Sequence, residues 1–374
     1  MSKKHTFLKI VVGIGVTLTT IHVINRVLNR LFTGGNHLKA ENDDFYSWTN
    51  GQIYLKKTGT GKPLLLLHDL TTYGSSVEWE RVVAQLAANH TVYEIDLPGC
   101  GRSDKKSLPY VSFFYVQLIQ SVLSEVIGEK ADIAATGAAA PILLSAANYD
   151  GSLIDKIIVI NPYKLCSEGG ALTKLDKFHK SLKELPIIGS FFYNMRYNRM
   201  RIESLMSNDL FYNPFNVSTE LVEKFCEGAH LRYETGRYLM AAIDAGYMNV
   251  NDSMAVAKLQ KEALIISGAA LKNESAMASE YQALNHEMQH VVIEKSGMYP
   301  QIEEPEVFVE VVEKFLQGEN VSETIFQEDE AEEYRKFEEE FADETENIDG
   351  DQDIKVVDDG EADEEVVEKA GEEA

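Results

Sequence analysis

Apolar positions fall along the chain in two patterns. Near the start, a mostly apolar stretch runs from Thr6 to Ile24, broken by Lys9 and His22, and is long enough for a helix to cross a bilayer, which takes ~20 such residues. From Phe45 onward, short apolar runs alternate with segments of helical spacing, the signature of α/β architecture. Phe45 to Lys57 predicts a hairpin turning at Asn50-Gly51. Leu64 to Leu67 is a continuous apolar run, as expected of a strand covered on both faces. Val77 to Ala88 has helical spacing, and Thr91 to Asp96 predicts the next strand. Tyr110 to Ile127 predicts a long helix and Ala131 to Ala135 a strand. Ala138 to Asn148 predicts a helix with Pro141 in its first turn, where proline is tolerated. Ile154 to Ile160 predicts a strand, and Tyr163 to Leu259 a long run of helices. Strands resume at Ala263 to Ser267 and His290 to Ile293, and Pro305 opens a last amphipathic helix ending at Leu316.

Charge changes this picture at one end. The chain carries a formal −25, but Glu319 to Ala374 holds 25 acidic residues against 4 basic ones. The remainder is therefore nearly neutral, and nothing in it calls for a nucleic-acid partner. The tail has too few apolar residues to build a core, so disorder is expected, with a charged helix possible from Glu328 to Phe341. Asp349 to Asp353 resembles the opening of a calcium loop, but Ile354 stands where a glycine is needed and Gly360 where a glutamate is needed. Three cysteines (Cys100, Cys166 and Cys226) form no disulfide framework and no metal motif, so no metal and no cofactor is expected.

At the other end, the apolar stretch is followed by Asn25-Arg26-Val27-Leu28-Asn29-Arg30, which lacks the small residues of a cleavage site. An uncleaved, single-pass anchor is expected, contacting the membrane through residues 6–32. Basic residues on its two sides nearly balance, so orientation is open. Gly34-Gly35-Asn36 ends the helix. The expected organisation is an anchor over 1–35, a core over 36–162 and 260–318, a helical insert over 163–259, and the acidic tail over 319–374.

Four segments of the middle resemble the α/β-hydrolase family. Leu64 to Leu67 with His68-Asp69 resembles its apolar strand and oxyanion turn. Asp96-Leu97-Pro98-Gly99-Cys100-Gly101-Arg102-Ser103-Asp104 matches its D-x-P-G-x-G-x-S-D loop. Ile154 to Pro162 resembles the strand leading into the cap, and Ser296 to Phe308 resembles the G-H-x-P-x-x-E-x-P-x-x-F stretch. The resemblance covers Phe45 to Gln317 and implies an α/β-hydrolase fold, with a mostly parallel sheet flanked by helices and a helical cap. It is closest in kind to a catalytically degenerate, membrane-anchored bacterial member.

That resemblance also says where a catalytic triad would stand. The nucleophile belongs in the middle of a sharp strand-to-helix turn, here Ala135-Thr136-Gly137-Ala138-Ala139, and Gly137 has no side chain. The acid position holds Leu271, with Asn273 and Glu274 just beyond; the alternative acid position reads Asn161-Pro162-Tyr163. The base position holds Met298, and His290 lies at the wrong end of its strand. Thr136, Ser145 and Cys100 are weak substitutes for the nucleophile. The oxyanion donors implied by the resemblance are backbone N–H groups of Ala138 and of Asp69 or Leu70, with His68 in the same turn. Asp69 replaces the usual small residue, and its charge would oppose a bound anion. In the cap, Pro186 to Tyr193 with Tyr212, Phe215 and Tyr238 is aromatic, which suits either a lid over an apolar ligand or ordinary helix packing.

Three functions are compatible with these positions. The first is a membrane-tethered, hydrolase-like protein that binds a small apolar ligand or a protein partner without catalysis. The second is a hydrolase of esters or related substrates working through non-standard residues. The third is a scaffold recruiting a basic partner through the acidic tail.

Overall fold

A computed structural model describes residues 3–40, 44–165, 172–232, 236–249, 253–271 and 274–322. Cys166, Asn273 and nearly all of the acidic tail, with its helix and calcium-loop segments, lie outside the described residues. The core is an eight-stranded sheet: β1 (Phe45–Trp48), β2 (Gly51–Thr58), β3 (Lys62–Leu67), β4 (His90–Ile95), β5 (Ala131–Thr136), β6 (Ile154–Ile160), β7 (Ala263–Gly268) and β8 (Gln289–Ile293). The strand order is β1-β2-β4-β3-β5-β6-β7-β8. The hairpin β1–β2 joins β4 antiparallel, and every later pairing is parallel. Leu64 to Leu67, Ile133 and Ile157 to Ile160 are fully buried, which explains why these strands read as unbroken apolar runs.

Helices α2 (Val83–Leu86), α3 (Ser112–Ser121), α4 (Ala139–Tyr149), α11 (Glu274–Leu284), α12 (Pro300–Glu303) and α13 (Pro305–Leu316) flank the sheet. Six more, α5 (Lys174–Lys183), α6 (Ile188–Arg196), α7 (Arg199–Leu205), α8 (Thr219–His230), α9 (Arg237–Asp244) and α10 (Ser253–Ala257), form the insert between β6 and β7.

Local departures from the sequence pattern have physical causes. Trp48 pairs with Gly51, so Thr49-Asn50 makes the turn and Gly51 opens β2. The expected helix over 77–88 is split into a 3₁₀ turn, Ser76–Trp79, and α2, because Glu78 turns inward to accept the Asp69 N–H at 2.8 Å. The helix expected from Tyr110 starts at Ser112, passes into a π turn over Val122–Ile127 and closes on left-handed Gly128.

At the N-terminus, α1 (Lys3–Thr33) is a single helix of 31 residues. Among the described residues it alone is long and apolar enough to cross a membrane, and little of it is covered. Its last turns are an exception. Asn25 and Asn29 are buried. Asn25 donates to the Ile187 carbonyl at 3.0 Å and accepts from Asn194 at 3.1 Å, and Asn29 donates to the His230 carbonyl at 2.8 Å. The following segment is tied down too: Glu227 accepts the His37 and Leu38 N–H groups.

Candidate functional site

The strand-to-helix turn between β5 and α4 is present, with Gly137 in the left-handed region at φ +55° and its N–H bonded to the Ile160 carbonyl at 2.9 Å. The space a side chain would need there is occupied. A Cβ on Gly137 would lie 2.3 Å from Asp69 Oδ1 and 2.7 Å from Met298 Cε, far inside the ~3.5–4.0 Å at which such atoms rest.

Asp69 is almost fully buried. Its Oδ1 accepts the Ala138 N–H at 2.8 Å, and its Oδ2 faces the Tyr163 hydroxyl at 3.4 Å. The N-terminus of α4 favours an anion, and the anion it holds is this side chain. Burial raises the Asp69 pKa to about 6, while the backbone N–H of Ala138, the Tyr163 hydroxyl and the Leu70 N–H favour its charged form. Behind it, Glu78 is buried, and burial and the Asp69 charge push its carboxyl well above the ordinary range. Neither Glu78 nor Tyr163 was marked by the sequence as a partner of Asp69. No local pattern marks Glu78, whose helical neighbours include Ser75, Arg81 and Gln85.

The other candidate positions are placed as follows. His68 is buried and turned into the scaffold: its Nδ1 donates to the Asp69 carbonyl and its Nε2 accepts the Leu97 N–H, both at 2.8 Å, and burial lowers its pKa. Met298 is buried in an apolar cluster with Ile202, Met206, Phe225 and Tyr299, and Leu271 packs against the same cluster. Met298 thus lies beside Gly137, and Leu271 packs against the apolar cluster that holds Met298. Thr136 is buried and accepts from Gln301 at 3.4 Å. Ser145 lies on α4, two turns from Gly137. Cys100 is buried, its thiol directed at the Thr71 carbonyl and its pKa raised by burial. His290 bonds the Ser267 hydroxyl. Glu274 begins α11, and its side chain lies outside the described residues.

Asn161, which the sequence flags only for lacking a carboxylate, binds the loops together. It sits at φ +44°, donates to the carbonyls of Gly297 and Met298, and accepts the Gly268 N–H at 2.9 Å. Glu303 accepts the N–H groups of Gly297, Tyr212 and Asn213. The D-L-P-G-C-G-R-S-D loop is likewise structural. Asp96 accepts from the Ser76 and Arg102 backbone and from the Arg102 guanidinium. Burial opposes its charge, but Arg102 outweighs burial and holds the carboxyl at about 2.

Above the turn, a cavity of about 1130 Å³ opens between the sheet and the insert. Leu70, Ala138 and Tyr163 line its floor, and Leu182, Phe192 and Met195 lie among its walls. The aromatic run divides between the two roles expected of it: Phe192 faces the cavity, while Tyr193 is buried and bonds the Ala229 carbonyl at 2.7 Å.

The sequence profile of the alpha/beta hydrolase family matches residues 64–311. No curated protein matches the chain in sequence. Among solved structures it is similar to a serine hydrolase involved in carbazole degradation, the CarC enzyme (TM-score 0.60, 17% identity, 73% of this chain and 97% of that one). It is also similar to the epoxide hydrolase CorEH (TM-score 0.59, 18% identity, 73% and 97%). A third is carboxylesterase CesB (YbfK) from Bacillus subtilis (TM-score 0.59, 15% identity, 80% and 99%). At these identities the likeness is one of fold.

Proposed function

Because the chain belongs to the α/β-hydrolase family yet fills its strand-to-helix turn with its own side chains, we propose that it is a membrane-tethered ligand-binding protein that does not carry out Ser-His-Asp hydrolysis. The observation that carries this is the Asp69 carboxylate, bonded to the Ala138 N–H directly above Gly137. Acyl transfer needs an activated nucleophile and free donors for the developing oxyanion. Here the nucleophile position has no side chain, the Ala138 N–H is engaged by the Asp69 carboxylate and the Asp69 N–H by Glu78, and Leu271 and Met298 offer neither acid nor base. The cavity remains, with an apolar wall and convergent polar groups, as expected of a small-molecule site. The ligand class this supports is a small apolar or amphipathic molecule.

The tether is α1. A cleaved leader would leave Asn25 and Asn29 without a role, whereas their bonds to the insert support a helix that stays with the protein. The reading is tested with the full chain in lipid nanodiscs. Saturable binding of a fluorescent acyl-chain probe is expected, with no turnover of p-nitrophenyl esters above buffer. Turnover above buffer would defeat the non-catalytic reading, with Thr136→Ala and Ser145→Ala showing whether those residues carry it, and absence of saturable binding would defeat the ligand-binding one.

A further inference from the structure

The bonds made by Asn25 fix how far the folded domain can stand from a bilayer. The apolar run Thr6 to Ile24 is ~28 Å long as a helix, about the thickness of the hydrocarbon layer, which leaves no spare turn. Asn25, the next residue, is already bonded to Ile187 at the start of α6 and to Asn194 within it. One turn later, Asn29 is bonded to the end of α8. Ile21 and His22, inside the run, are partly covered. There is no linker between span and domain, so α6 lies within the headgroup layer if α1 spans.

The surface beside that junction suits such a place. Leu185, Phe192 and Met195, along α6 and just before it, are exposed, with Phe192 at 56%. Neighbouring α5 has no buried residue. It exposes Leu175 and Phe178, at 60% and 63%, and carries Lys174, Lys177, Lys180 and Lys183. Lys180 and Lys183 pair with Glu184 and Asp244, while Lys174 and Lys177 are exposed. An unburied helix with apolar and basic faces is the composition that lies in a membrane interface, and anionic headgroups are its complement. Leu182, Phe192 and Met195 also line the cavity.

We propose that the insert rests on the bilayer through α5 and α6, against anionic phospholipid, so that the cavity opens onto lipid. This rests on the reading of α1 as a membrane anchor. An environment-sensitive fluorophore, placed at single cysteines in full-length protein carrying Cys166→Ser, separates the two. The sites are Val12→Cys in α1, Phe178→Cys in α5, Phe192→Cys in α6 and Tyr149→Cys. Tyr149 is exposed at the end of α4 away from Gly137. In vesicles of phosphatidylcholine and phosphatidylglycerol doped with nitroxide-labelled lipid, the labels at 12, 178 and 192 are expected to lose most of their fluorescence and that at 149 to keep it. Quenching at 178 is expected to weaken in vesicles without phosphatidylglycerol and in Lys174→Glu/Lys177→Glu. Quenching at 12 with 178 and 192 behaving like 149 would overturn the proposal while leaving the anchor in place. An unquenched label at 12 would overturn the anchor reading, and this proposal with it.

Discussion

Restoring a serine at the turn should destabilise the protein unless Asp69 is removed with it. In Gly137→Ser the new Cβ meets Asp69 Oδ1 at 2.3 Å, Asp69 Cγ at 2.6 Å and Met298 Cε at 2.7 Å. The methionine methyl ends a flexible chain and can move aside. The aspartate cannot move without leaving the Ala138 N–H it caps. Overpacking of this kind costs ~1–3 kcal/mol, and a side chain at φ +55° adds ~1–2 kcal/mol. The single variant should therefore lose about 2–5 kcal/mol. In an Asp69→Gly background the clash with the carboxylate vanishes and only the backbone cost remains, about 1–2 kcal/mol. The coupling between the two sites should then be about 1–3 kcal/mol in favour of the double variant. The assay is a double-mutant cycle by urea unfolding, followed by the fluorescence of Trp48 and Trp79, both buried. Effects that add to within ~0.5 kcal/mol would refute the claim that Asp69 occupies the space over Gly137.

Two further outcomes are expected. Asp69 titrates near 6 in the folded protein against an ordinary 3.8, so the native state binds its proton more tightly than the unfolded chain, and stability should fall by ~3 kcal/mol as pH rises from about 4 to about 6. Asp69→Asn should flatten the profile, matching wild type near pH 4 and exceeding it at neutral pH in urea unfolding. Asp96, held at about 2 by Arg102, has the opposite sign: it contributes ~2.5 kcal/mol that is present above pH 4 and lost toward pH 2. Asp96→Asn leaves the Arg102 charge uncompensated and should lower stability by ~3–5 kcal/mol at neutral pH, read from the urea midpoint.

Much of the fold was legible because local chemistry and tertiary role agree. Asp96, Gly101, Arg102 and Ser103 each have a task that suits their type. Gly101, at φ +45°, admits no Cβ beside Asp96 Oδ2, and Ser103 bridges the Tyr54 N–H. Motif spacing also singles out Gly137, Leu271 and Met298 in the sequence. What surrounds Gly137 was not legible. The Asp69 charge argued against an anion in the hole, but only the bond to Ala138 identifies Asp69 as its occupant. Glu303 is the glutamate of the G-H-x-P-x-x-E stretch, but its bonds to the Tyr212 and Asn213 N–H groups, like those of Asn161 to Gly297 and Met298, reach loops distant in sequence, which no local pattern encodes. Asn25 and Asn29 read only as poor cleavage-site residues, because their partners lie more than 160 positions away.

The most direct test of the central claim is covalent. Full-length protein in nanodiscs is treated with a fluorophosphonate probe and examined by intact-mass spectrometry. The occupied turn predicts an unshifted mass, because no activated hydroxyl is available to attack phosphorus. A stoichiometric adduct at any serine or threonine would contradict the account.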